Sequence, residues 1–308
     1  MTERLPEYGQ TNIREKRLLI AWAWGIMLII SELPDILLDS FSMHELEWLS
    51  HVKTVLLLIF LVSCFVWKKI SSLWQYGIIL LVFHLSLSFS NWVGTTGWWS
   101  NLFADSKSSF TFSYLELYIR DFGIALAVIA ALWIIKKQRK NFFFTKGNLK
   151  APIDKVVWLG IRQGESWRTF GWIFAIFASA AVCIPVFLSI QPTSSLINKM
   201  LPLLPAVFLF SAINAFNEEI YFRVSILSTL SEIIGKSNIL LLSSVFFGLA
   251  HYLHGSPPGI VGFLMTGFLA WILGKSILET KGIFWAWFIH FVPDVIIFIS
   301  YALFWSNT

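Results

Sequence analysis

Charge is what this sequence has least of. Asp, Glu, Lys and Arg together fill 13% of its 308 positions, against 56% hydrophobic residues and a mean hydropathy of +0.70. So little charge excludes a solvated globular surface and puts the chain among multi-pass membrane proteins. Cysteine is scarce too: Cys64 and Cys183 both fall in apolar runs, where they read as small packing residues rather than a disulfide or a metal site. The polar start, Met1 to Arg17, runs into the first apolar stretch without a small-residue cleavage site, so that stretch is expected to be a retained span. No H-E-x-x-H pair is present to specify zinc. No internal repeat relates the two halves, which a proton-coupled transporter would be expected to show.

Apolar runs are abundant, and the 16 Trp and 29 Phe suit lipid contact and the headgroup level. A span needs about 20 apolar residues to cross roughly 30 Å of hydrocarbon. Runs of that kind lie at about 18–38, 54–67, 74–93, 113–135, 169–190, 203–232, 237–254, 259–278 and 284–305. The expected fold is all-α, a polytopic membrane helical bundle of about eight or nine transmembrane helices. The run 54–67 is short, and 203–232 is long enough to be tilted, broken or made of two pieces.

Basic residues cluster before the first span (Arg4, Arg14, Lys16, Arg17), after the second (Lys68, Lys69) and most densely across 136–168. The positive-inside rule makes these segments cytoplasmic and with them the amino terminus of a cell-membrane protein. The chain then divides into a four-span block, 1–135; a basic linker, 136–168; and a helical core, 169–305. The linker mixes Lys and Arg with Phe142, Phe143, Phe144 and Trp158. It reads either as a membrane-surface segment near anionic lipid or as a solvated loop that sets topology. Membrane lipid is an expected partner, and nucleic acid is not.

The core collects the ionisable residues that look placed. A charged group at membrane depth costs on the order of 2.5 to 3.5 kcal/mol, so each is a functional candidate. "NEEIYFR" (217–223) puts Glu219 and Arg223 at i and i+4, able to pair, while Glu218 points about 100° away and is left over. If "SEIIGKS" (231–237) is a hairpin turn, the rise per residue sets Glu218 and His251 each roughly 25 Å from the tip, at one level on neighbouring helices. His290 and Asp294 share a helix face. His251 and His290 meet only if 251–259 is recessed into the membrane or the last helices tilt, and the Gly and Pro run there allows the recess. A Glu and a His holding one water could activate it for hydrolysis of a peptide bond, with the second His and Asp294 at the oxyanion. Two His and two carboxylates would equally suit a divalent ion such as zinc, though no metal or other cofactor is expected to be required.

E-E-x-x-x-R at 218–223, F-x-x-x-H at 247–251 and H-x-x-x-D at 290–294, in that order with a Gly-rich helix before the last, resemble the CPBP family of intramembrane proteases. That family, also called ABI, takes its name from CAAX proteases and bacteriocin-processing enzymes. The resemblance covers about 169–305 and implies a glutamic protease related to type II CAAX prenyl proteases. It implies that Glu218 acts with His251 on a water, that Glu219, Arg223 and Phe247 support the motifs, and that His290 and Asp294 stabilise the oxyanion. The family's last position is often Asn, so Asp294 departs from it in chemistry. The expected substrate is a hydrophobic or membrane-anchored peptide. A proteolytically idle scaffold or immunity-type protein of the same fold, or a proton-coupled transporter, would use the same residues differently.

Overall fold

A computed structural model of the chain describes residues 13–42, 47–104, 109–255 and 257–307. Thirteen α-helices follow one another: α1 Ile13–Ile30, α2 Leu33–Ser40, α3 Glu47–Val66, α4 Trp74–Thr95, α5 Gly97–Leu102, α6 Phe110–Lys136, α7 Trp167–Ile190, α8 Ser194–Met200, α9 Leu204–Glu219, α10 Ser225–Ile234, α11 Lys236–Ala250, α12 Gly259–Thr280 and α13 Phe284–Asn307. Each apolar run in the sequence carries a helix. Among the described residues seven helices or helix series are long and apolar enough to cross a membrane, eight if the bent pair α1–α2 is one span. The lower of the expected counts holds because the run 237–254 gives α11 only 15 residues, about 22 Å of helix.

Local chemistry explains the breaks. Between α1 and α2 the axis turns by 54°, where Pro34 cannot donate a backbone hydrogen bond and Ser31 Oγ takes the Leu33 N–H at 3.1 Å. Buried Lys53 ties the bend, donating to Ser31 O at 2.9 Å and pairing with Asp35 at 2.5 Å. The long run 203–232 is α9 and α10 joined by a π-helical turn, Ile220–Val224, directly after the two glutamates; such turns interrupt the α register and are frequent at functional sites. Gly235, at φ +83°, makes the hairpin tip between α10 and α11, as the "SEIIGKS" stretch predicts. Small residues then let α12 lie close on α11. A side-chain carbon on Gly248 would come 2.8 Å from Phe263 O, and one on Gly267 would come 3.3 Å from Ser244 O.

One hydrophobic core runs through the described chain, from Leu19 and Met27 in α1 through Tyr76 and Val128 to Leu227, Leu273 and Ile289. A second cluster gathers Tyr118, Phe210, Phe298 and Leu303 from α6, α9 and α13. His84 is a core residue with a hydrogen-bonded ring, Nε2 lying 3.1 Å from Ser50 O and 3.0 Å from Thr54 Oγ1. Glu116 and Arg120 form their i, i+4 pair at 3.1 Å. Both cysteines are free, Cys64 buried and Cys183 exposed.

Residues 136–168 pack onto the end of the bundle. Phe142, Ile153 and Ile161 are buried there, and the chain hydrogen-bonds to the α12–α13 turn through Asn148 N to Thr280 O at 2.8 Å and Ile283 N to Thr145 O at 2.9 Å. Glu279 fastens the arrangement by accepting from Lys236, Lys275 and the Trp167 indole at 2.8, 2.5 and 2.9 Å. Gly147 has φ +75° and its missing Cβ would meet the backbone of Thr280 and Gly282. Gly147→Ala is therefore expected to lower stability by about 1–3 kcal/mol, read as a fall in the thermal midpoint of the detergent-solubilised protein. Gly160→Ala, at a similar φ of +71° but with open space around it, serves as the milder control.

Candidate active site

The site is assembled by α9, α11 and α13 around one imidazole. At the end of α9, Glu219 is fully buried, and its Oε1 accepts from His290 Nδ1 at 2.9 Å while lying 3.4 Å from Arg223 Nη1. Glu218 turns to the other nitrogen of the same ring, its Oε2 3.4 Å from His290 Nε2. The Glu219–Arg223 pair predicted from the helical spacing is present, but it is not isolated: both glutamates converge on His290, a contact across 71 positions that spacing within one helix cannot disclose.

Arg223 is also fully buried, and its guanidinium carbon lies 3.7 Å from the centre of the Phe247 ring. That ring packs on His251 at 4.3 Å between centroids and meets His290 edge-on at 5.9 Å. Phe247 thus touches the cation and both imidazoles. His251 follows the last residue of α11, with Nδ1 3.0 Å from Phe247 O. A carbonyl oxygen only accepts, so Nδ1 carries the proton and Nε2 keeps the lone pair.

Because α11 is short, His251 is not carried to the far side of the bundle. The chain turns after α11, with Gly259 N–H donating to Tyr252 O at 2.6 Å and α12 starting at once. His251 and His290 consequently line one cavity of about 390 Å³, together with Glu218, Asp294 and His254. Glu219 does not line it and reaches it only through His290. Apolar side chains complete the wall, Phe177 and Ala181 from α7 and Met265 and Leu269 from α12.

Two polar wall residues escape the sequence motifs. Asp294 Oδ1 is 3.8 Å from His290 Nε2, while its Oδ2 accepts from Asn214 Nδ2 at 3.0 Å. Asn214 Oδ1 in turn accepts from the Tyr118 hydroxyl at 3.0 Å. Asn214 precedes Glu218 by one helical turn, which is a signal available in the sequence. Tyr118 comes from α6 in the first half, and only tertiary packing brings it here. Among the described residues no three His, Cys, Asp or Glu side chains are disposed to hold a metal ion.

Chemically the cavity offers a carboxylate, an imidazole with a fixed lone pair, a carboxylate-clamped second imidazole and an oriented amide, all beside an apolar groove. Residues 200–296 match the family model described as type II CAAX prenyl endopeptidase Rce1-like. No curated protein and no solved structure matches the chain. The matched stretch contains both glutamates, Arg223, Phe247, both histidines and Asp294, the residues through which the sequence resembles the CPBP and CAAX proteases.

Proposed function

We propose that the protein is an intramembrane glutamic endopeptidase that hydrolyses a peptide bond in a hydrophobic or membrane-anchored peptide. The observation that carries this reading is the joint placement of Glu218 and His251 on one cavity, with the His251 lone pair fixed on Nε2 by the Phe247 carbonyl. A water held by Glu218 and His251 gives up a proton as its oxygen bonds to the scissile carbonyl carbon. The proton passes to the leaving amine as the carbon–nitrogen bond breaks. Glu219 holds His290 by Nδ1, and His290 and Asp294 face the oxyanion side of the site. The apolar wall from α7 and α12 suits a substrate that arrives through lipid, where water exclusion strengthens each electrostatic contact. The protein works in the cell membrane with its basic ends and amino terminus on the cytoplasmic side, and it needs no metal.

The test uses the full chain in proteoliposomes with a panel of lipid-anchored and hydrophobic peptides. Cleavage is expected, and it is expected to survive a strong chelator. Loss of cleavage on chelation with recovery on zinc overturns the metal-free mechanism. Absence of cleavage across the panel, with cellular phenotypes intact in His251→Ala, favours a scaffold instead.

A further inference from the structure

Three helices that wall the cavity, α7, α12 and α13, each have one end fixed at the basic linker, which gives depth in the bundle a common origin. The Trp167 indole donates to Glu279, Asn148 N to Thr280 O, and Ile283 N, just before α13, to Thr145 O. Lys136, Lys140, Lys236 and Lys281 gather around one depression at this end, and Gly235 at the hairpin tip lies beside Lys16. Two connections at the far end are poor in cations: 191–203 carries Lys199 alone, and 251–258 has no Lys or Arg.

Measured from that origin, the reacting groups form the floor of the cavity and the exposed residues form a rim beyond them. Buried His290 sits about 9 Å along α13 from Phe284, and exposed Tyr301 about 26 Å along. On α7 the exposed wall residues Phe177 and Ala181 come about 15 and 21 Å after Trp167. Exposed Met265 is about 22 Å from Thr280 on α12. His254 and Pro257, also exposed, belong to the connection past the far end of α11. Among the described residues, none from the linker, the α10–α11 tip or the α12–α13 turn lines the cavity. Trp285, buried one and a half turns below His290, closes α13 against Gly171 of α7, where a side-chain carbon would not fit.

Resting on the endopeptidase reading and on the orientation that the positive-inside rule gives the basic end, we infer that the catalytic cavity opens on the extracytoplasmic face. Its substrate is then a peptide segment presented in the outer half of the membrane. The rim suits such a segment, with Phe177 and Met265 for an apolar flank and His254 for a hydrated one. A translocated peptide reaches this floor without crossing back, whereas a cytoplasmic tail meets the closed end of the bundle.

The experiment labels single cysteines with a membrane-impermeant maleimide in intact cells, using the full chain with Cys64→Ala and Cys183→Ala. His254→Cys is expected to react in intact cells, and Lys140→Cys only after the membrane is permeabilised. Any other pattern overturns the inference, including reaction of both from one side or a His254→Cys that stays silent until the protein is denatured. Pro258→Cys, in the same connection, gives the same reading where His254→Cys folds poorly. A second arm carries a peptide that is cleaved in proteoliposomes at either the outer or the cytoplasmic end of a single-span reporter. Wild type is expected to cut at the outer end alone, and Glu218→Gln at neither. Cutting at the cytoplasmic end, or none at the outer end, overturns the inference while the protease reading stands. If Glu218→Gln cuts as well as wild type, the protease reading falls, and the labelling pattern still decides which way the cavity opens.

Discussion

Glu218→Gln is expected to lower kcat/KM by about 100- to 10,000-fold, the range lost with a general acid–base group, while the thermal midpoint stays near that of wild type. The two halves of that expectation come from different facts. Glu218 lines the cavity and its side chain is 20% exposed, so its contacts leave room for a water and a substrate carbonyl. Among the described residues its ion-pair partner is His290, whose Nε2 lies 3.4 Å away, longer than a charge-assisted hydrogen bond. Glutamine keeps the volume and can still face His290, so little packing is disturbed. It cannot take a proton from water. The check is single-turnover cleavage of one peptide by wild type and variant at equal folded concentration. A variant that retains more than about a tenth of the rate removes Glu218 from the chemistry and leaves His251 without its partner.

Much of this fold is legible from composition because the membrane sets the rule that apolar runs become helices. Residue spacing also carries real information over short range. Arg223 follows Glu219, and His251 follows Phe247, at i+4, and both pairs touch. Gly235 announces the hairpin that brings α10 and α11 together. The limits are equally physical. That Glu219 would share its carboxylate between Arg223 and His290 depends on how α13 seats against α9, which no periodicity within either helix determines. Tyr118 is the clearest case, since one aromatic residue in an aromatic-rich helix carries no mark of a hydroxyl aimed at Asn214 in α9. The π turn at Ile220–Val224 is likewise a tertiary compromise, made of residues with no individual signature for it.

The supporting pair gives the other large effect, on stability. Glu219 and Arg223 have no exposed side-chain surface, and the guanidinium has the Glu219 carboxylate at 3.4 Å and the face of Phe247 as its near neighbours. Glu219→Gln leaves a buried cation without its adjacent anion, and the expected cost is about 3–5 kcal/mol. Arg223→Met removes the cation itself. Glu219 then still has the Nδ1–H of His290 at 2.9 Å, so the loss is expected to be smaller. The double variant Glu219→Gln with Arg223→Met fills the space with a neutral amide and an apolar chain, and it is expected to be more stable than Glu219→Gln alone. Thermal unfolding of the four proteins in one detergent measures the cycle. Strict additivity would mean the two side chains do not feel each other and would reduce the pair to a geometric coincidence. Non-additivity of the expected sign makes Arg223 the counter-charge that lets the protein bury Glu219 behind His290. In that case the motif's second glutamate and its arginine hold the imidazole in place, and the first glutamate is left to meet the substrate.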